Sequence, residues 1–117
     1  MRVVRFAQAP AYSPPLHSDV DCRRLQGHEA GPTERFWIGL SLYHPGGAAQ
    51  ESATGEETIY TVLEGELTVL SGGREETLGR FDSVHLPKGT VRSVENRSGR
   101  PATLLVAIAT PPATPRD

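Results

Sequence analysis

Apolar and polar residues alternate most regularly in the second half of the chain. Thr58, Tyr60 and Val62 fall on one face of a period-two strand, and Ile59, Thr61 and Leu63 on the other. Both faces are largely apolar, as expected when one lines a barrel interior and the other meets a second sheet or a partner chain. The run turns at Gly65 and restarts at once. Residues 67–70 are predicted to pair with 75–78 through Ser71-Gly72-Gly73, since glycine supplies the positive φ that tight hairpins need. Residues 83–86, 91–96 and 102–109 read as further strands. Upstream, strands are predicted over 21–25 and 36–43, separated by the Gly27…Gly31-Pro32 turn region, with His44-Pro45-Gly46-Gly47 ending the second. Residues 48–56 fit a loop or a weak strand, and Met1 to Phe6 looks like a first strand. Pro10, Pro14 and Pro15 deny helix and central-strand positions to residues 7–20, which read as an extended arm. About nine or ten strands with no defensible helix indicate an all-β sandwich or barrel.

Composition narrows this without redirecting it. A chain of 117 residues makes one domain able to bury a real core. Its division is predicted as a strand and Pro-rich arm over 1–20, a barrel over 21–109 and a flexible tail over 110–117. The hydrophobic share is 37%, punctuated by 12 Gly and 10 Pro, which suits short strands and tight turns. A net charge of −2 with no basic stripe argues against nucleic acid as a partner. Cys22 is the only cysteine, so no intrachain disulfide or thiolate cluster can form, and it reads as a small residue in an N-terminal strand. No apolar run approaches the roughly 20 residues that span a bilayer, and the start lacks the apolar stretch of a secretory signal. The expectation is a cytoplasmic protein with no membrane partner.

Two spaced motifs bring chemistry into view. Pro45-Gly46-Gly47 and Val62-Leu63-Glu64-Gly65 match the ends of the first motif of the cupin family, and Pro87, Gly89 and Asn96 match the second. The chain therefore resembles a small single-domain cupin, which implies an all-β, RmlC-like jelly-roll barrel over about residues 38–109. The resemblance also implies where a metal would sit, in relatives that hold a transition ion with three histidines and a carboxylate. Here Thr58 takes the glutamate position, and the His-x-His pair falls on Glu51 and Ala53 or, one residue on, on Ser52 and Thr54. Arg92 stands in place of the fourth ligand, a histidine. A fixed cation repels a metal strongly in a low-dielectric barrel, so a degenerate metal site and no cofactor are expected.

The remaining candidates form a metal-independent constellation. Arg92 inside a barrel needs a carboxylate or an anionic ligand. In this reading it grips a carboxylate or enolate oxygen, Glu51 or His85 moves a proton, and Tyr60 orients the ligand. That chemistry suits isomerisation, dehydration or cyclisation of a small organic acid or aromatic compound, with an anionic small molecule as the expected ligand. The alternatives are a structural Arg92–Glu51 ion pair, a non-catalytic sensing or accessory module, and a metal-dependent enzyme using a displaced Glu/His site among His85, Glu51, Glu56 and Glu57. Phe36 and Trp37 are adjacent and so point to opposite faces, one into the core and the other toward a cavity or interface. His17, His28 and His44 show no ligand spacing and read as structural. The cupin resemblance implies a homodimer, and the long arm and two-faced strand agree with it.

Overall fold

The structure, a computed structural model, describes residues 1–111. Nine strands carry it: β1 (Ala11–Tyr12), β2 (His17–Gln26), β3 (Phe36–Ala53), β4 (Thr58–Glu64), β5 (Leu67–Ser71), β6 (Arg74–Leu78), β7 (Ser83–Leu86), β8 (Val91–Glu95) and β9 (Ala102–Ala109). Two single 3-10 turns, Phe6–Gln8 and His28–Ala30, are the only helical pieces among the described residues. The strands pair antiparallel in the order β6-β5-β8-β3-β9-β4-β7, while β2 lies along β3 and carries β1 on its other edge. The sheet curls into a nearly closed jelly-roll barrel, open between β6 and β7.

The long third strand makes the curl possible. Its first half pairs with β9, from Phe36 opposite Ala109 to Tyr43 opposite Ala102. Its second half pairs with β8, where Ser52 lies opposite Arg92. Between them Pro45-Gly46-Gly47 bends the strand without ending it, so the expected stop at His44 becomes a corner, and residues 48–53 are strand. Asn96, only 3% exposed, holds that corner. Its side-chain nitrogen donates to the carbonyl oxygens of Tyr43 (3.0 Å) and Arg100 (2.6 Å), and its Oδ1 accepts from the Ser98 hydroxyl at 2.7 Å. A buried amide satisfied on both sides fixes geometry that backbone pairing leaves open at a bend.

The other differences are at the N-terminus. Met1 to Arg5 forms no strand; Arg2 ties the segment to Gln26 and to the Gly31 and Pro32 carbonyls. The proline arm is shorter than expected and contributes pairing, since β1 and the start of β2 lie within it. Residues 91–95 form β8, with Asn96 just beyond. The tail expected from Thr110 lies, from residue 112 onward, outside the described residues.

Elsewhere the alternation holds. Thr58, Tyr60 and Val62 are buried, while Ile59 is exposed and Thr61 and Leu63 are partly covered. Gly72 and Gly73, at φ +58° and +74°, make the two-residue hairpin that sets Ser71 opposite Arg74. Tyr43, Val62, Leu67, Val94 and Leu104 are the largest fully buried side chains, and they fill one end of the barrel. The other end stays hollow.

Candidate functional site

Strand parity decides which side chains reach the hollow end. Because Ser52 opposes Arg92, the inward residues of this stretch are Ser52 and Thr54. Glu51 therefore points outward and is exposed, and it makes no ion pair with Arg92. His85 is likewise turned away. It pairs with Ile59 on the outer face, where its Nε2 lies 2.6 Å from the Glu57 carboxylate, while its neighbour Val84 pairs with the inward Tyr60. Of the four residues singled out as catalytic, the structure brings Arg92 and Tyr60 together and sends Glu51 and His85 elsewhere.

Arg92 is held by neutral acceptors. Its Nε donates to the Tyr60 hydroxyl at 2.9 Å, and its Nη1 to the Ser52 hydroxyl at 3.0 Å and the Gln50 carbonyl at 3.3 Å. Among the described residues no carboxylate pairs with it. The guanidinium is thus fixed in direction while its charge is not neutralised by a side chain.

His17, which the sequence placed in the arm, is the residue that reasoning missed. It opens β2, pairs with Ala49 and lines the same hollow as Arg92. Its Nδ1 lies 2.8 Å from the Pro15 carbonyl, which can only accept, so Nδ1 carries the proton and Nε2 keeps its lone pair. Burial lowers the imidazole's proton affinity, the Pro15 bond partly restores it, and Arg92 lowers it again. The only sequence signal was parity within a strand that the prolines obscured.

Aromatic residues make the wall. Tyr12 and Trp37 meet edge to face with centroids 5.8 Å apart, and His28 meets Trp37 at 5.1 Å. Arg24 lies 3.6 Å over the Tyr12 ring and 4.4 Å from the Trp37 centroid, with its Nε paired to Glu29 at 3.1 Å. Trp37 is partly covered and lines the hollow; Phe36 is 60% exposed, so neither aromatic enters the closed core. Burial pushes the Tyr12 phenol up to about 12 and the Tyr43 phenol higher still. Buried Cys22 contacts the Ser41 hydroxyl at 3.5 Å, and burial raises its thiol, which keeps it protonated and unreactive.

The hollow has two lobes. The inner one, about 350 Å³, is bounded by Tyr12, His17, Tyr43 and Leu104; the outer one, about 420 Å³, by Ala53, Thr54, Glu56 and Thr58. They share Trp37, Tyr60, Arg92 and Ile108. A third hollow of about 440 Å³ lies at the open seam between β6 and β7. Among its lining side chains Arg74 and Glu76 are paired to each other on the surface, and His85 is paired to Glu57.

The positions where a cupin metal would bind do not fit one. The Thr54 hydroxyl donates to the Pro87 carbonyl at 2.8 Å and the Thr58 hydroxyl to the Glu56 carbonyl at 3.0 Å, leaving Ser52 beside a guanidinium. Among the described residues no three His, Cys, Asp or Glu side chains gather as a metal requires; the displaced set reduces to the exposed Glu57–His85 pair, with Glu56 bound instead to Lys88 at 3.5 Å.

Comparison with known proteins agrees with this architecture. A family model described as a cupin domain matches residues 39–108. A beta-D-galactosidase of Mycobacterium tuberculosis (strain ATCC 25618 / H37Rv) is 56% identical over 113 residues, spanning 97% of this chain and 97% of that protein. Among solved structures, the polyketide cyclase RemF from Streptomyces resistomycificus superposes with a TM-score of 0.81 at 22% identity, covering 93% of this chain and 79% of that one. An RmlC-like cupin from Shewanella frigidimarina gives 0.77 at 15% identity, covering 97% and 92%. Both likenesses show the fold alone.

Proposed function

The chain belongs to the cupin family, and from that premise we propose that it hydrolyses a β-D-galactoside in the two-lobed cleft, without a metal at the usual cupin position. End-to-end identity of 56% with a protein named for that activity carries the reading. The cleft supports it. A sugar ring offers an apolar C–H face and a rim of hydroxyls. Trp37 and Tyr12 supply apolar ring surface, set edge to face, while Arg92, Ser41, Tyr60 and His17 supply donors and acceptors within a hollow of ligand size.

Most glycoside hydrolases use two carboxyl groups flanking the scissile bond. Glu56, with a side chain 22% exposed, is the one carboxylate bordering either lobe among the described residues. It is the proposed proton donor to the leaving oxygen, a role it takes up in its protonated form, released from the Lys88 ammonium 3.5 Å away. A fixed guanidinium opposes the cationic character of a glycosyl transition state, so Arg92 belongs against the sugar hydroxyls and away from the anomeric carbon.

The same guanidinium favours a second reading. With no carboxylate partner, Arg92 is suited to a small organic acid or an enolate, and the cleft would then carry out proton-transfer isomerisation, dehydration or cyclisation. One comparison separates the two. An aryl β-D-galactoside and lactose should be cleaved, with the α-galactoside untouched, and Trp37→Ala should raise KM about tenfold, the loss of roughly one stacking contact's 1.4 kcal/mol. No turnover and no galactose-induced shifts in the NMR spectrum would sink hydrolysis. Arg92-dependent binding of small carboxylates under those conditions would establish the second reading.

A further inference from the structure

Nothing in the hydrolysis reading assigns a group to activate water. We infer that His17 is the proton acceptor of the cleft, taking a proton through Nε2 from a water that attacks the anomeric carbon, so that hydrolysis proceeds by single displacement with inversion. The inference rests on the galactoside reading and adds the missing second role to it.

Three observations carry it. The ring is oriented and its tautomer fixed by the 2.8 Å contact between Nδ1 and the Pro15 carbonyl, which leaves an unprotonated Nε2. His17 borders the inner lobe and Glu56 the outer lobe, and the lobes join at Trp37, Tyr60 and Arg92. A sugar ring seated at that junction has a base on one side and a carboxyl on the other, the arrangement of an inverting enzyme, in which the base needs room for a water. Third, the charged and titratable groups sharing the inner lobe are Arg92 from β8, Tyr43 from β3, Tyr60 from β4, Tyr12 from β1 and Arg24 from β2 itself. None is a carboxylate that would hold His17 protonated, and Arg92 opposes its protonation.

The step balances. The water oxygen bonds to the anomeric carbon, the glycosidic C–O bond breaks, one water proton passes to His17 Nε2, and the Glu56 carboxyl proton passes to the leaving oxygen. Exchange with solvent then restores both groups. Attack by Tyr60 in place of water would give a covalent intermediate and retention, so stereochemistry separates the two routes.

The test uses the full chain with an aryl β-D-galactoside followed by proton NMR. The first-formed galactose should be the α anomer. His17→Gln should lower kcat about 100-fold or more while the melting temperature above neutral pH stays close to that of the parent, and imidazole should restore part of the rate to His17→Ala. In Arg92→Met, the His17 ring resonances should titrate at higher pH than in the parent, a readout independent of turnover. A β-anomer product, or His17→Gln at the parental rate, overturns the inference and leaves hydrolysis standing. Complete absence of galactoside turnover overturns both.

Discussion

Tyr12, Tyr43 and Tyr60 are the chain's three tyrosines, and all three line the inner lobe. Phenol ultraviolet absorbance therefore reports on the cleft alone. Burial raises Tyr12 to about 12 and Tyr43 beyond it, from an ordinary 10.0. Raising the pH from about 8 to about 11 should ionise neither in the folded protein, whereas denaturant should release all three near 10. A full three-phenolate step near 10 without denaturant would mean that the cleft is flooded. At this scale the sequence turned Arg92 and Tyr60 toward the same hollow, because a motif position and strand parity both pointed inward, and the two side chains meet there. It missed His17 because three nearby prolines suggested an arm, and what a short strand pairs with is a property of its neighbour.

Element geometry turns on registers that local patterns leave open. Residues 48–57 admitted two alignments, and a one-residue slip sends every side chain to the opposite face. Pairing of Ser52 with Arg92 selects the alignment that excludes Glu51. The turn joining β2 to β3 shows a tighter constraint. Gly27 adopts φ +93°, and a Cβ there would sit 2.3 Å from the Trp37 Cβ. Gly27→Ala should therefore cost about 1–3 kcal/mol from backbone strain and more if Trp37 is displaced. Trp37 is the only tryptophan, so its fluorescence should shift together with an earlier denaturation midpoint. A variant with parental stability and emission would show that the turn does not position the cleft wall.

For the whole molecule, the cleft ties stability to pH. The folded state holds the His17 pKa below its ordinary 6.5, so the unfolded chain binds more protons between the two values. The stability His17 contributes is complete above about 6.5 and is lost as the pH falls through its folded value. Melting temperature should drop over that interval, and His17→Gln should flatten the drop; an unchanged slope would place the acid sensitivity in other groups. The open seam between β6 and β7 poses a separate problem, because unpaired strand edges recruit other chains. Arg74, Glu75 and Glu76 on β6 are exposed and charged, which discourages edge-to-edge pairing.

The sequence by itself determined an all-β cupin barrel, since alternation, glycine turns and the Pro87, Gly89 and Asn96 spacing are local signals that survive any uncertainty in pairing. It also determined that Thr58 and Arg92 occupy two of the positions matched to the family's ligand motif, because that rests on residue identity. Only the tertiary structure decided which polar side chains share one cavity. Convergence of His17, Tyr60 and Arg92 from β2, β4 and β8 depends on long-range registers and on the bend at Pro45 to Gly47, and no stretch of chain shorter than the barrel encodes these.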